Sequence, residues 1–124
     1  MKLTDLAILD WVLINNTPHR IQAIDSIDAE ILADDELYYV GEDRCHSEDK
    51  IEGIPITPEI LENNGWWYYS DDMWQHEEVG FYIEKWDGRF QCYDITDIKL
   101  DSVHQLQQTL RLCGLNELAD NFKV

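Results

Sequence analysis

The sequence predicts an α+β fold: a small curled antiparallel sheet or partial barrel, a short central helix, an aromatic β-hairpin and a C-terminal helix. Three observations carry this expectation. Four short runs rich in β-branched and aromatic residues crowd into about the first 40 positions, with no room for helices between them. Asp87-Gly88 stands between two aromatic, alternating runs, the composition a two-residue hairpin turn requires. Ser102-x-x-Gln105 opens a stretch whose apolar residues recur at helical spacing. A chain of 124 residues has room for one compact domain. Within it, residues 1–53 are read as the curled sheet, and residues 54–124 as the helix, hairpin and C-terminal helix sharing a core.

Trp11-Val-Leu-Ile14 is short, β-branched and aromatic, and predicts a buried strand. Asn15-Asn-Thr-Pro18 is turn chemistry, because Asn tolerates left-handed backbone angles and Pro lacks a ladder donor. Residues 20–27 return as a second strand. Residues 30–33 and 36–40 make two more, separated by a turn at Asp34-Asp35. Residues 41–53 are polar and predict a loop. Thr57-Pro58-Glu59 then starts a helix: Thr57 accepts from free amides, Pro58 sits where its missing donor costs nothing, and Glu59 suits the positive end. Asn64-Gly65 ends it after about two turns.

Residues 66–93 hold ten of the fourteen aromatic residues. A strand is expected at residues 66–69, followed by an acidic loop from Asp71-Asp72 to Glu77-Glu78. Pairing across Asp87-Gly88 sets Trp86 opposite Arg89, Glu84 opposite Gln91 and Tyr82 opposite Tyr93 on one face. Phe81, Ile83, Phe90 and Cys92 take the other, which reads as core. Ser102 and Gln105 form a capping box. Val103, Leu106, Leu110 and Cys113 make a narrow apolar stripe, with Leu112 on the opposite side of the wheel. Gly114 stops the helix, and Asn116 is placed to cap a last short turn.

Charge narrows the function. Nine Lys and Arg stand against twenty-six Asp and Glu, for a net charge of −17. Residues 1–24 and 98–124 are each neutral, so the whole surplus lies in residues 25–97. Such a balance opposes phosphate-backbone and anionic-membrane binding, both of which need basic side chains. Direct nucleic-acid or membrane contact is therefore not expected. The surplus is densest from Asp25 to Glu52, and the partner it fits is a basic host protein. A nucleic-acid-binding protein, whose phosphate site the acids would occupy, is the sharpest case. The candidate contact surface is Asp34, Asp35, Glu36, Glu42, Asp43, Glu48 and Asp49, helped by the acidic loop of residues 71–78. The simpler alternative is a well-solvated face.

Catalytic and metal chemistry find little support. Cys45-His46 is adjacent rather than spaced for tetrahedral zinc, and there is no phosphate loop or nucleophile elbow. No cofactor is implied, and an enzyme is the least supported class. Cys92 and Cys113 read as small buried hydrophobes, and His104 as a packing or surface residue. Three widely spaced cysteines and no export signal suggest a reduced, cytoplasmic setting. A second candidate function is a nucleotide-like ligand stacked on Tyr82, Trp86, Arg89 and Tyr93. A third is a structural or oligomerising domain, suggested by Leu112.

Three segments carry a resemblance. Asp10-Trp-Val-Leu-Ile-Asn-Asn-Thr-Pro-His19, Ile54-Pro-Ile-Thr-Pro-Glu-Ile-Leu-Glu-Asn-Asn-Gly-Trp66 and Val103-His-Gln-Leu-Gln-Gln108 resemble, in order, the opening strand, central segment and C-terminal helix of a family of small bacterial and phage or mobile-element proteins. Residues 25–52 are least alike. Leu9-Asp10 stands where the family carries Gly-Asn. Thr109-Leu-Arg-Leu-Cys-Gly-Leu115 replaces its Leu-Tyr-Phe-Ala-Leu-Thr-Gly continuation. The resemblance implies a phage or mobile-element context and brings no activity with it.

Overall fold

A computed structural model describes residues 5–25, 30–33, 36–39, 51–93, 98 and 100–124. They form two antiparallel sheets and three helices, an α+β architecture. The first sheet contains β1 (Trp11–Ile14), β2 (Thr17–Asp25), β3 (Glu30–Ala33), β4 (Glu36–Tyr39) and β5 (Ile51–Gly53), in the order β4-β3-β2-β1-β5. It is open: among the described residues β4 and β5 are its two edges, and it does not close into a barrel. Asn15 and Asn16, at φ 53° and 64°, make a two-residue turn whose twist suits the flanking strands. Thr17 and Pro18 therefore belong to β2 rather than to the turn. Pro18 pairs with Leu13 ahead of the point where β3 joins β2, so its missing donor breaks no ladder.

Val12, Ile14, Ile21, Ile31, Ala33 and Ile51 bury one face of this sheet in a cluster with Leu6. A register shift between the Ile21 and Ala23 pairs adds local bend. β5 falls within the stretch expected as loop. Its three residues pair with β1, too short a run to signal a strand on its own. Gly53 is needed there because a Cβ would lie 2.7 Å from Cβ of Ser102.

α1 (Pro58–Asn63) starts as the sequence predicts, with Thr57 Oγ1 accepting from the Ile60 amide at 3.2 Å. The second sheet is a meander of β6 (Trp66–Ser70), β7 (Met73–His76), β8 (Tyr82–Trp86) and β9 (Arg89–Cys92). β7 corrects the expected acidic loop over residues 71–78. Asp71 and Asp72 adopt φ 52° and 58° and turn the chain in two residues, so Met73-Trp-Gln-His76 returns as a strand. The Asp87-Gly88 turn and its register are as predicted, with Trp86 paired to Arg89 and Glu84 to Gln91.

The inner face of this sheet (Trp66, Trp74, Phe81, Ile83, Phe90 and Cys92) packs against Leu61 and against Val103, Leu106 and Leu110 of α2 (Val103–Leu112). Ala119 of α3 (Asn116–Asp120), Phe122, Ile54, Ile56 and Leu100 complete the cluster. Gln105 supplies its half of the capping box, accepting from the Asp101 and Ser102 amides at 2.8 and 3.1 Å. α2 is buried more widely than one stripe: His104, Gln107 and Thr109 are covered too, because β1 and α3 pack on flanks that periodicity assigned to solvent. Cys113, expected in the stripe, is exposed; the helix ends at Leu112 and Cys113 is its C-cap. Asn116 begins α3 rather than capping it, the cap position being Leu115. No helix among the described residues is long and apolar enough to cross a membrane.

Candidate functional site

Strand alternation and hairpin register put Tyr82, Trp86, Arg89 and Tyr93 on the outer face of the second sheet. Tyr93 donates its amide to the Tyr82 carbonyl at 3.1 Å, and the two rings lie 6.1 Å apart. Trp86 and Tyr93 are 69% and 47% exposed, whereas Tyr82 and Glu84 on the same face are half-buried and Gln91 is buried. The face therefore opens to solvent at Trp86 and Tyr93 rather than throughout. Two further aromatics share it. Trp67 pairs with Gln75, and Gln75 with Tyr82, so one cross-sheet row reads Trp67, Gln75, Tyr82, Tyr93. Tyr69 follows on the same side of β6, its ring 5.8 Å from Trp67. Trp67 and Tyr69 escape a sequence reading because four consecutive aromatics, Trp66-Trp-Tyr-Tyr69, show no alternation.

Arg89 is not free to meet an anion. Its guanidinium makes a bidentate pair with Asp101, Nε donating to Oδ1 at 2.9 Å and Nη2 to Oδ2. That hydrogen bonding, and then the carboxylate's charge, push the Arg89 pKa above its ordinary value. Between the Trp86–Arg89 row and the Tyr82–Tyr93 row stands Glu84, which accepts from the Gln91 side chain. The face therefore combines stacking surface with a carboxylate at its centre.

The meander also sorts the acidic turns. The β6–β7 and β8–β9 turns lie at one end of the sheet, with the Lys85 amide donating to the Asp72 carbonyl at 2.7 Å. Asp71, Asp72 and Asp87 are thus gathered at that end, all exposed, whereas Glu77 and Glu78 sit at the opposite end. Of the other candidate contact residues, Glu36 opens β4 opposite Ala33. Asp34, Asp35, Glu42, Asp43, Glu48 and Asp49 lie outside the described residues, as does Cys45-His46.

Elsewhere the polar groups serve the scaffold. Asp10 is fully buried; it accepts from Arg111 Nη1 at 2.7 Å, Gln108 Nε2 at 2.7 Å and the Ala7 amide at 2.8 Å. His104 is buried beside Ser102, its Nδ1 2.9 Å from Ser102 Oγ, and burial lowers its pKa against the opposing charges of Asp10 and Asp5. Two residues apart at a helix start, this pair secures the turn. His76 is held as one tautomer: Nδ1 accepts from the Glu78 and Val79 amides, so Nε2 carries the proton and donates to the Asn64 carbonyl at 3.0 Å. Cys92 is buried among core residues, as expected. Among the described residues no three His, Cys, Asp or Glu side chains converge as metal ligands. No family model, curated protein or solved structure matches the chain.

Proposed function

We propose that the chain is a non-catalytic interaction protein of phage or mobile-element type that binds a basic, nucleic-acid-binding protein in a cytoplasmic setting. One observation carries the reading: the entire −17 surplus falls in residues 25–97 while both ends are neutral. The ion pairing supports it. Arg89 and Arg111 are bound to Asp101, Asp10 and Asp120, so two of the few cations neutralise acids within the fold. Exposed carboxylates such as Asp71, Asp72 and Asp87 make no ion pair among the described residues. Surplus anions of this kind steer a cationic surface and occupy the place a phosphate backbone takes.

Calorimetry against purified basic DNA-binding proteins tests this. Binding that weakens steeply with salt, competes with duplex DNA and falls on combined charge reversal of Asp34, Asp35 and Glu36 is the expected result. Affinity indifferent to salt and to that reversal contradicts it.

The exposed aromatic face keeps a second reading in play, a nucleotide-like ligand stacked on Tyr82, Trp86 and Tyr93. It is the weaker one, because Arg89 is engaged by Asp101 and Glu84 would repel a phosphate. Titrating nucleotides against tryptophan fluorescence separates the two. Leu112, 84% exposed, favours the oligomerising alternative, which light scattering tests directly.

A further inference from the structure

We infer that the outer face of β6–β9 is the docking surface for an extended, arginine-bearing segment of the basic partner, with guanidinium groups stacked on Trp86 and on the Tyr82–Tyr93 pair. This rests on the proposed function and adds to the acidic residues 34–49 a second contact, on the other sheet. Three features of the face select the occupant. The first is aromatic exposure in rows. Trp86, then Glu84, then Tyr82 succeed one another on one side of β8, and alternate residues of a strand repeat every ~7 Å. An extended peptide presents its own alternate side chains at the same interval, so arginines two apart meet successive rows.

The second feature is charge. Glu84 sits between the aromatic rows, and Asp87 stands at the adjoining turn with Asp71 and Asp72. The cation of the face, Arg89, is turned to Asp101. A cationic visitor finds carboxylates to pair with, whereas a phosphate chain is repelled. A second copy of this chain would set Glu84 and Asp87 against their counterparts, with a charge of −17 on each molecule. The third feature is ring chemistry. Guanidinium is planar and weakly hydrated and stacks on Trp and Tyr; ammonium is compact and holds its water. The face therefore discriminates between two cations of equal charge.

The test is fluorescence polarisation of two labelled peptides of equal length and charge, one alternating Arg and Ser, the other Lys and Ser, against the full chain. The Arg peptide is expected to bind more tightly than the Lys peptide by about three- to ten-fold, the worth of one or two exposed cation–π contacts. Trp86→Ala, at an exposed position that the fold does not need, removes most of that preference, and Glu84→Gln weakens both peptides. Double charge reversal at Glu59 and Glu62 on α1, away from the face, leaves the Arg/Lys ratio unchanged. Equal binding of the two peptides, or an undiminished preference in Trp86→Ala, overturns the assignment. If basic proteins still bind with steep salt dependence in that case, the proposed function stands and only this second contact fails. If neither peptides nor basic proteins bind, both fail. Tighter binding of a single-stranded oligonucleotide than of the Arg peptide, or self-association abolished by Trp86→Ala, replaces the occupant named here.

Discussion

Arg111 Nη1 lies 2.7 Å from Oδ1 of Asp10, a carboxylate with no solvent exposure, and so ties the end of α2 to the residue that precedes β1. Gln108 and the Ala7 amide fill the other oxygen. Removing one partner of a buried pair leaves an uncompensated charge, which costs about 3–5 kcal/mol. Arg111→Ala is expected to lower the urea-unfolding free energy by about that amount. A loss below about 1 kcal/mol, the worth of a surface pair, refutes this role.

Gln107 does comparable work without charge. Fully buried, it accepts from the Trp11 amide at 2.9 Å and donates to the Leu9 and Ala119 carbonyls at 2.8 and 3.1 Å. Gln107→Leu keeps the volume but strands three backbone groups, those of Leu9, Trp11 and Ala119, each costing about 1–3 kcal/mol when unsatisfied. Thermal denaturation should show a destabilisation of at least about 2 kcal/mol. An unchanged midpoint counts against it.

Gly65 is irreplaceable for two reasons at once. Its φ is +93°, and a Cβ there would stand 2.6 Å from Nε2 of His76, the atom that donates to the Asn64 carbonyl. Gly65→Ala should cost about 1–2 kcal/mol from the backbone alone, with the clash added. In contrast, Gly88→Ala meets no neighbouring atom and bears the backbone cost only. Measured side by side, the Gly65 variant should be the less stable; equal stability would remove the steric part of the argument.

Acid should destabilise the fold partly through His104. Burial lowers its folded pKa, whereas the unfolded imidazole titrates near its ordinary value of about 6.5. The unfolded state thus binds more protons in this window. Stability from the neutral ring is present above about pH 6.5 and is lost as pH falls through the folded value. His104→Asn is expected to flatten the stability–pH curve below about pH 6.5. A slope identical to the parent's contradicts the assignment.

What sequence reasoning could and could not see follows from how each signal arises. Asp87-Gly88 announces its turn because glycine supplies positive φ without strain. Asp71-Asp72 makes the same kind of turn with no glycine, and so β7 is hidden behind it. The helix start at Thr57-Pro58 is local chemistry and is read correctly. The burial of Gln107 depends on backbone groups from Leu9, Trp11 and Ala119, none of them near it in sequence. For the candidate site, the face of Tyr82, Trp86, Arg89 and Tyr93 follows from one hairpin register. Three things do not: the addition of Trp67 and Tyr69, the gathering of Asp71 and Asp72 beside Asp87, and the capture of Arg89 by Asp101. Each depends on which strand or helix start lies alongside the hairpin, a tertiary fact.

The most direct measurement is a nuclear magnetic resonance titration of the chain with the Arg-Ser peptide, followed at the five tryptophan indole N–H signals. Trp67 and Trp86 face outward, whereas Trp66 and Trp74 are buried and Trp11 donates its indole N–H to the Phe122 carbonyl at 2.7 Å. A basic ligand on the outer sheet face should move the Trp86 and Trp67 signals while the other three stay fixed. Stationary indoles in a titration that nonetheless shifts amides scattered across the acidic surface would show that cations gather around this protein without a defined seat.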